Sequence, residues 1–303
     1  MIIGTVSPVP SVNGSAPLAK GLRAWYLTPG QNPGKGILQD LSPAGNHAQL
    51  LNNATSFAGM PSSGGQFLAT DFDGVTGAAK VLANPATSNL FLSGGMFASW
   101  VCMDSYTAQP RLFDKNQAYA AFTANNAGSL SLSLFQWFGG NIGIFASTTP
   151  NQYPVPLSVW THIAIVYSSS SAANTPVIYI NGQAIAITVS SVPSGSAVDD
   201  SPDALGIGNT IAFDRPLDGR MFDVRFYKGF LPDATFVRAV YQDAATGFAG
   251  TLAYSRRHRR KKSTAGGGGG GSSSPPGPAI NNAAGFSGNR RAFHAGGLNL
   301  GGF

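Results

Sequence analysis

Glutamate is absent from this 303-residue chain, and all thirteen acidic residues are aspartate. Glycoside hydrolysis needs two carboxyl groups roughly 5–9.5 Å apart, and the common pairing of two glutamates is therefore excluded. No Gly-x-Ser-x-Gly nucleophile elbow is present either. His47 and His162 lie in a turn and a strand segment, where packing or hydrogen bonding is their expected role. We therefore predict that the protein has no catalytic residues and is not an enzyme.

Cysteine and charge are both scarce. The single cysteine, Cys102, excludes an intramolecular disulfide and a cysteine-rich zinc site. It lies in the apolar run 97–103, which predicts a buried thiol. Charged residues make up 11% of the chain, against about 25% in typical soluble domains. A surface with so little charge favours a protein that works inside an assembly.

We expect neither a targeting segment nor a membrane-spanning segment. Its first ten residues contain neither a basic region nor an adequate apolar run, so we expect no secretory signal. No run approaches the ~18 apolar residues that a membrane span needs. We therefore expect no membrane insertion.

The positive charge is concentrated at the C-terminal end. Residues 254–303 carry eight Lys and Arg residues and no acid, whereas residues 1–253 carry a small negative net charge. Six consecutive glycines, 266–271, follow the basic cluster 256–262, and such a segment becomes ordered only on binding. The partner-docking candidates are Arg256, Arg257, Arg259, Arg260, Lys261, Lys262, Arg290 and Arg291. Nucleic-acid phosphates, in a salt-sensitive contact without sequence specificity, and an acidic protein face are the alternative partners.

Strand signals dominate the rest of the chain. The segment Trp160–Tyr167 is rich in β-branched and aromatic residues, with apolar residues on both faces, which predicts a buried strand. Asn181-Gly182 is typical of a type I′ turn, so Val177–Ile180 and Gln183–Val189 are predicted to form a hairpin.

Two further elements are predicted near residue 230. In Leu217–Tyr227, alternation places Met221, Asp223, Arg225 and Tyr227 on one face and Phe222, Val224 and Phe226 on the other. Apolar residues at helical spacing predict a short helix over Leu231–Tyr241.

Six segments, in order, resemble motifs of the laminin-G-like, concanavalin A-like jelly-roll family: Gly21–Leu27, Asp40–His47, Gln66–Gly74, Gly95–Cys102, Trp160–Ala186 and Leu217–Tyr227. The resemblance covers about residues 21–245. It departs from the family at Thr235, where a glutamate is usual. It implies an all-β fold, a two-sheet antiparallel jelly-roll sandwich with one short C-terminal helix and extended N- and C-terminal arms.

The resemblance also implies two ligand classes. Calcium is the family's commonest ligand, and Asp199, Asp200 and Asp203 are the candidate ligands here, with Asp71 and Asp73 as a second choice. Asp-Ser-Pro-Asp is equally typical of an ordinary turn. For a surface glycan, Trp137 and Tyr153 are the candidate stacking residues, although jelly rolls bury most of their aromatic residues.

We predict an extended N-terminal arm at residues 1–20, a jelly-roll domain at 21–253 and a basic, Gly-rich tail at 254–303. The favoured function is that of a non-enzymatic structural protein of a virion, a bacteriophage capsid decoration or a tail or fibre component. It would be assembled in the host cytoplasm in several copies and would dock through its arms onto capsid or tail proteins. The alternative is a carbohydrate-binding adhesin module, with or without calcium.

Overall fold

The computed structural model describes residues 11–12, 15–29, 36–58, 67–106, 109–124, 130–147, 155–246, 248 and 252–253. These residues include twenty strands, one α-helix and two short 3-10 turns, Pro17–Ala19 and Ala244–Thr246. The strands are β1 (Ser11–Val12), β2 (Leu22–Tyr26), β3 (Thr28–Pro29), β4 (Ile37–Leu38), β5 (Ala48–Leu51), β6 (Thr55–Ala58), β7 (Phe67–Asp73), β8 (Ala78–Val81), β9 (Gly95–Met103), β10 (Arg111–Asp114), β11 (Ala118–Ala124), β12 (Leu130–Gln136), β13 (Gly143–Ser147), β14 (Thr161–Tyr167), β15 (Val177–Ile180), β16 (Gln183–Ile185), β17 (Ile187–Ser191), β18 (Leu205–Ile207), β19 (Asp218–Lys228) and β20 (Leu252–Ala253); the helix α1 is Ala234–Asp243.

Two antiparallel sheets form the sandwich, as the sequence predicts. Sheet I runs β16-β15-β14-β9-β19-β7-β3, with β2 paired to β19 and β6 to β7. Sheet II runs β17-β13-β12-β11-β10-β18-β8-β5-β4. Apolar side chains from both sheets fill the space between them, among them Phe97, Phe113 and Phe226, whose rings lie 4.8–5.6 Å apart. Cys102 is buried and free, as predicted.

The central hairpin is confirmed, except at its end. All seven residues of β14 are buried, and Asn181 and Gly182 have φ values of 49° and 76°, as a type I′ turn requires. The strand predicted over Gln183–Val189 is wrong beyond Ile185. After Ala186 the chain leaves sheet I, and β17 pairs with β13 in sheet II. The alternation of side chains continues across this change of sheet, so the sequence pattern does not mark it.

A β-bulge in β19 corrects the predicted alternation. The pairing with β9 shifts between Phe222 and Arg225, and Asp223 adopts a φ of 57°. Because the bulge adds one residue, Met221 points into the inter-sheet core with Val224, and Phe222 lies on the outer face. The prediction was therefore wrong for Met221 and Phe222.

The outer face of sheet I is covered by α1 and a second apolar cluster that includes Leu18, Trp25, Phe222, Val240 and Phe248. The predicted helix is confirmed; it begins three residues later than expected, after its N-cap Asp233, whose carboxylate accepts the Phe236 N–H. Leu18 is buried in this cluster, within the 3-10 turn that Pro17 begins. Residues 15–20 therefore belong to the folded domain rather than to an arm.

A buried ionic network lies beneath this cluster. The fully buried Arg225 guanidinium contacts the carboxylates of Asp223 and Asp243, each at 2.7 Å, and lies over the Trp25 ring. The Trp25 indole N–H donates to Asp223 at 2.6 Å. The bulge at Asp223 thus places this carboxylate where it can bind both groups.

Among the described helices, none has the length and apolar character to cross a membrane.

Candidate functional site

An open cleft of about 840 Å³ lies at sheet II. It is built from both ends of β10, the turn into β11, Tyr119 within β11, the residue after β12 and two loops that flank β18. Its lining residues are Arg111, Asp114, Asn116, Gln117, Tyr119, Trp137, Asp203, Ala204, Thr210, Ile211, Ala212 and Asp214. In β11, Ala118 and Ala120 point into the core, so Tyr119 between them faces outward. The cleft therefore opens on the outer face of sheet II, opposite α1.

Trp137 is the exposed aromatic residue of the cleft. Its side chain is on the surface, with 42% of the residue accessible, whereas the neighbouring Phe138 is buried. Its backbone N–H donates to the Gln117 carbonyl at 2.8 Å, and its carbonyl accepts the Val198 N–H at 3.0 Å. The indole is therefore presented from a backbone that is held on both sides.

A stack of planar groups forms the floor of the cleft. Tyr119 and Phe135, directly paired across β11 and β12, stack with ring centroids 4.5 Å apart. The Arg111 guanidinium lies 3.8 Å above the Tyr119 ring, and its Nε donates to Asp114 at 3.1 Å. The other Asp114 oxygen accepts the Asn116 N–H. Burial raises the pKa of Asp114, against the opposing effect of these two donors.

The loop 209–216 forms one wall. Asn209 is fully buried; its Oδ1 accepts the N–H groups of Thr210 and Arg215, and its Nδ2 donates to the Gly77 carbonyl. On the exposed side of the loop, the Thr210 hydroxyl donates to Asp214 at 2.6 Å, which lowers the pKa of this carboxyl.

The opposite wall carries Asp203. The buried Lys115 ammonium holds this loop, because it donates to the Asp203 carbonyl at 2.8 Å and lies 3.4 Å from the Asp200 carboxylate. The Asp203 side chain is partly exposed in the cleft, and its carboxylate has no hydrogen-bond partner among the described residues. It is therefore available as an acceptor for a ligand hydroxyl.

Two of the three first-choice calcium candidates, Asp199 and Asp200, have protein partners in the structure, whereas the Asp203 carboxylate has none among the described residues. Asp200 pairs with Lys115, and Asp199 accepts from Ser201 and from the Asn89 amide. In the second candidate pair, hydrogen bonds from Gly77, Asn53, Val75 and Thr76 outweigh burial and lower the pKa of Asp73 to about 2. Within the described ranges, no three His, Cys, Asp or Glu side chains are grouped to hold a metal ion. Calcium at these sites stays a prediction.

Of the two predicted stacking residues, the structure places Trp137 in the cleft, and Tyr153 lies outside the described residues. The eight basic docking candidates from Arg256 to Arg291 also lie outside them. Sequence reasoning missed Arg111, Tyr119, Thr210 and Asp214 as site residues. Strand pairing and loop folding bring them to Trp137, and no local motif signals that arrangement.

A family model for the concanavalin A-like lectin/glucanases superfamily, Laminin_G_3, matches residues 75–235, more than half of the chain. The chain belongs to this family. The matched region of this Laminin_G_3 protein includes every residue that lines the cleft. In sequence, no curated protein matches the chain.

Solved structures share the fold of this Laminin_G_3 protein at low sequence identity. The binding domain of Paraclostridial Mosquitocidal Protein 1 superposes with a TM-score of 0.56 at 13% identity, covering 75% of this chain and 53% of that one. The binding domain of botulinum neurotoxin serotype D/C VPI 5993 gives 0.52 at 12% identity, with the same shares of both chains covered. The chain thus spans about half the length of these two structures, and the likeness shows the fold.

Proposed function

We propose that the protein is a non-enzymatic carbohydrate-binding module and that the cleft beside Trp137 is its glycan site. The observation that carries this proposal is the exposed Trp137 indole on a fixed backbone, in one cleft with the unpartnered Asp203 carboxylate. Sugars present an apolar face that stacks on aromatic rings and hydroxyls that donate to carboxylates. Asn116, Gln117 and Thr210 supply further polar groups along the same cleft.

The hydrogen bonds of Asp114 and the pKa of Asp214 favour glycan binding without hydrolysis. Burial raises the pKa of Asp114, but both of its oxygens are already engaged as acceptors, from Arg111 and from the Asn116 N–H, so neither is free to protonate a leaving oxygen. Asp214, whose pKa is lowered, stays ionised. A hydrolase needs one protonated carboxylic acid beside the leaving oxygen, and neither group is suited to that role.

A glycan array with the full-length protein tests the proposal, followed by titration calorimetry on any glycan that binds. Trp137→Ala should weaken binding about 10- to 100-fold, since the loss of one stacking face corresponds to about 1.4–2.8 kcal/mol. Tyr106→Ala is the matched control, because Tyr106 is also 42% exposed but lies outside the cleft. Equal effects of the two substitutions, or no glycan bound by the wild type, would contradict the proposal.

A second function, that of a virion structural protein that displays this module, is favoured by the pairing of the two terminal strands. Ser11 of β1 lies opposite Ala253 of β20, so the two strands nearest the ends of the described residues lie side by side. Leu18 and Phe248, two buried residues close to these strands along the chain, belong to the cluster on the outer face of sheet I. Attachment through the termini would therefore leave the cleft on sheet II free.

Cross-linking of the native assembly tests this second function. Lys261 and Lys262 should link to a repeating capsid or tail protein, whereas Lys80 on sheet II should not. Links from the tail only to nucleic acid, or to no neighbour, would contradict docking through the C-terminal tail.

A further inference from the structure

The cleft contains more carboxylates than cationic side chains. Three carboxylates line it, those of Asp114, Asp203 and Asp214, against the one cationic side chain of Arg111. Arg215 interacts electrostatically with Asp214 and Tyr119 from beside the cleft. Even with this second arginine counted, the balance stays negative.

The cation inside the cleft is poorly placed to receive an anion. The Arg111 side chain is only 8% exposed, and its Nε already donates to Asp114. Its Nη1 faces the Gln109 carbonyl at 3.4 Å, and one face of the guanidinium is covered by Tyr119. Recognition of a ligand carboxylate normally uses a free, bidentate arginine fork, and this guanidinium does not offer one.

The free groups of the cleft have the opposite character. Asp203 is an unpartnered carboxylate, and Asp214 is an exposed one that accepts from the Thr210 hydroxyl. Trp137 adds an exposed indole, whose face attracts cations. A protonated amine or a neutral hydroxyl is favoured beside such groups, and a carboxylate or sulfate is repelled.

We propose that the cleft selects by charge: it binds neutral sugars and sugars with a protonated amine, and it rejects sialylated, uronic and sulfated glycans. This inference rests on the proposed glycan-binding function and specifies its ligand class. Two unit charges roughly 6 Å apart in water change affinity by about threefold, so the single net negative charge that remains when Arg111 and Arg215 are counted should disfavour an anionic sugar by about threefold at low salt.

The test uses matched glycan pairs, each with and without one terminal sialic acid, and chito-oligosaccharides with and without their N-acetyl groups. The neutral member of each sialic acid pair should bind about threefold more tightly, and the amine form at least as tightly as the N-acetyl form. Asp203→Asn should reduce the discrimination against sialic acid about threefold. Asp104→Asn, an equal charge change at a carboxylate outside the cleft, should leave it unchanged.

The outcomes separate the two proposals. If glycans bind in a Trp137-dependent manner but sialylated members bind as well as neutral ones, the charge inference is wrong and the glycan site stands. If no glycan of any charge binds, both proposals are wrong. If Asp203→Asn and Asp104→Asn change discrimination equally, the effect comes from net charge and not from the cleft, and the inference is again wrong.

Discussion

Replacing the buried His162 by phenylalanine should change how stability depends on pH. His162 lies on β14 beneath α1, against the edges of the stacked rings of Trp100 and Tyr241, with centroids 5.3 and 5.5 Å away. Both ring nitrogens are buried and have no hydrogen-bond partner among the described residues. Burial, and secondarily the charge of Arg225, lowers the pKa of this imidazole to about 3.

The size of this pH effect follows from the linkage between proton binding and folding. In the unfolded chain His162 takes up a proton below pH ~6.5, and in the folded protein it stays neutral down to pH ~3. The unfolded state therefore binds more protons in this window, and the stability that the neutral histidine allows is complete above pH ~6.5 and falls as the pH is lowered. At about 1.4 kcal/mol per pH unit, the loss between pH 7.5 and 4.5 is about 3 kcal/mol.

The titration of Asp223 changes stability in the opposite direction, so the contribution of His162 is measured as a difference between wild type and variant. Burial raises the pKa of Asp223 to about 6, against the opposing charge of Arg225. This carboxyl therefore binds a proton in the folded state before the unfolded one, and it stabilises the fold as the pH falls from ~6 to ~4. Since wild type and His162→Phe share Asp223, their difference in unfolding free energy isolates the histidine.

Urea denaturation at pH 7.5, 6.5, 5.5 and 4.5 provides the assay. His162→Phe should gain about 3 kcal/mol relative to wild type between pH 7.5 and 4.5, at unchanged m-value. Surface-exposed His47→Gln is unsuitable as a control, because the His47 Nδ1 accepts the Asp40 N–H. Parallel stability curves for wild type and variant would refute the reasoning, since they would mean that the buried imidazole is protonated as easily as in the unfolded chain.

Two further substitutions test the scaffold by the same denaturation assay. Arg225→Met should lower stability by about 3–5 kcal/mol, because it leaves two buried aspartates without their counter-charge; a loss below 1 kcal/mol would contradict the network. Gly208→Ala should cost at least about 2 kcal/mol, since φ is 74° and a Cβ would overlap the Phe72 ring. The control Gly45→Ala has a similar φ of 63° with open space around it, and it should cost only about 1 kcal/mol; equal losses would contradict the overlap.

Local signals were sufficient to predict most of the sandwich. The β-branched run of β14 and the Asn181-Gly182 turn depend on backbone preference and side-chain shape, which a short window contains. The bulge at Asp223 was not predictable, because it accompanies hydrogen bonds from Trp25 and Arg225 to the Asp223 carboxylate. Trp25 lies nearly 200 residues away in the chain. The change of sheet at Ala186 likewise depends on the position of β13.

The cleft was likewise predictable only where local sequence determines it. Trp137 was a candidate from its aromatic neighbourhood alone, and its exposure supports that interpretation. Arg111 and Tyr119 reach it only through the pairing of β10, β11 and β12. Asp203 was predicted as a calcium ligand because it lies in an acidic loop, yet the buried Lys115 binds its carbonyl, and the Asp203 side chain lines the cleft.

The central claim is that a glycan stacks on Trp137, and the indole N–H signals of the four tryptophans in a nitrogen-15 NMR titration test it most directly. Trp25 and Trp100 are buried at 0% and 8% exposure, and Trp137→Phe assigns the signal of the cleft. On addition of a neutral oligosaccharide that the array identifies, the Trp137 signal should shift in a saturable manner while those of Trp25 and Trp100 stay in place. Saturable shifts of other signals of the protein, with the Trp137 signal unchanged, would contradict the account, because the glycan would then bind elsewhere on the domain.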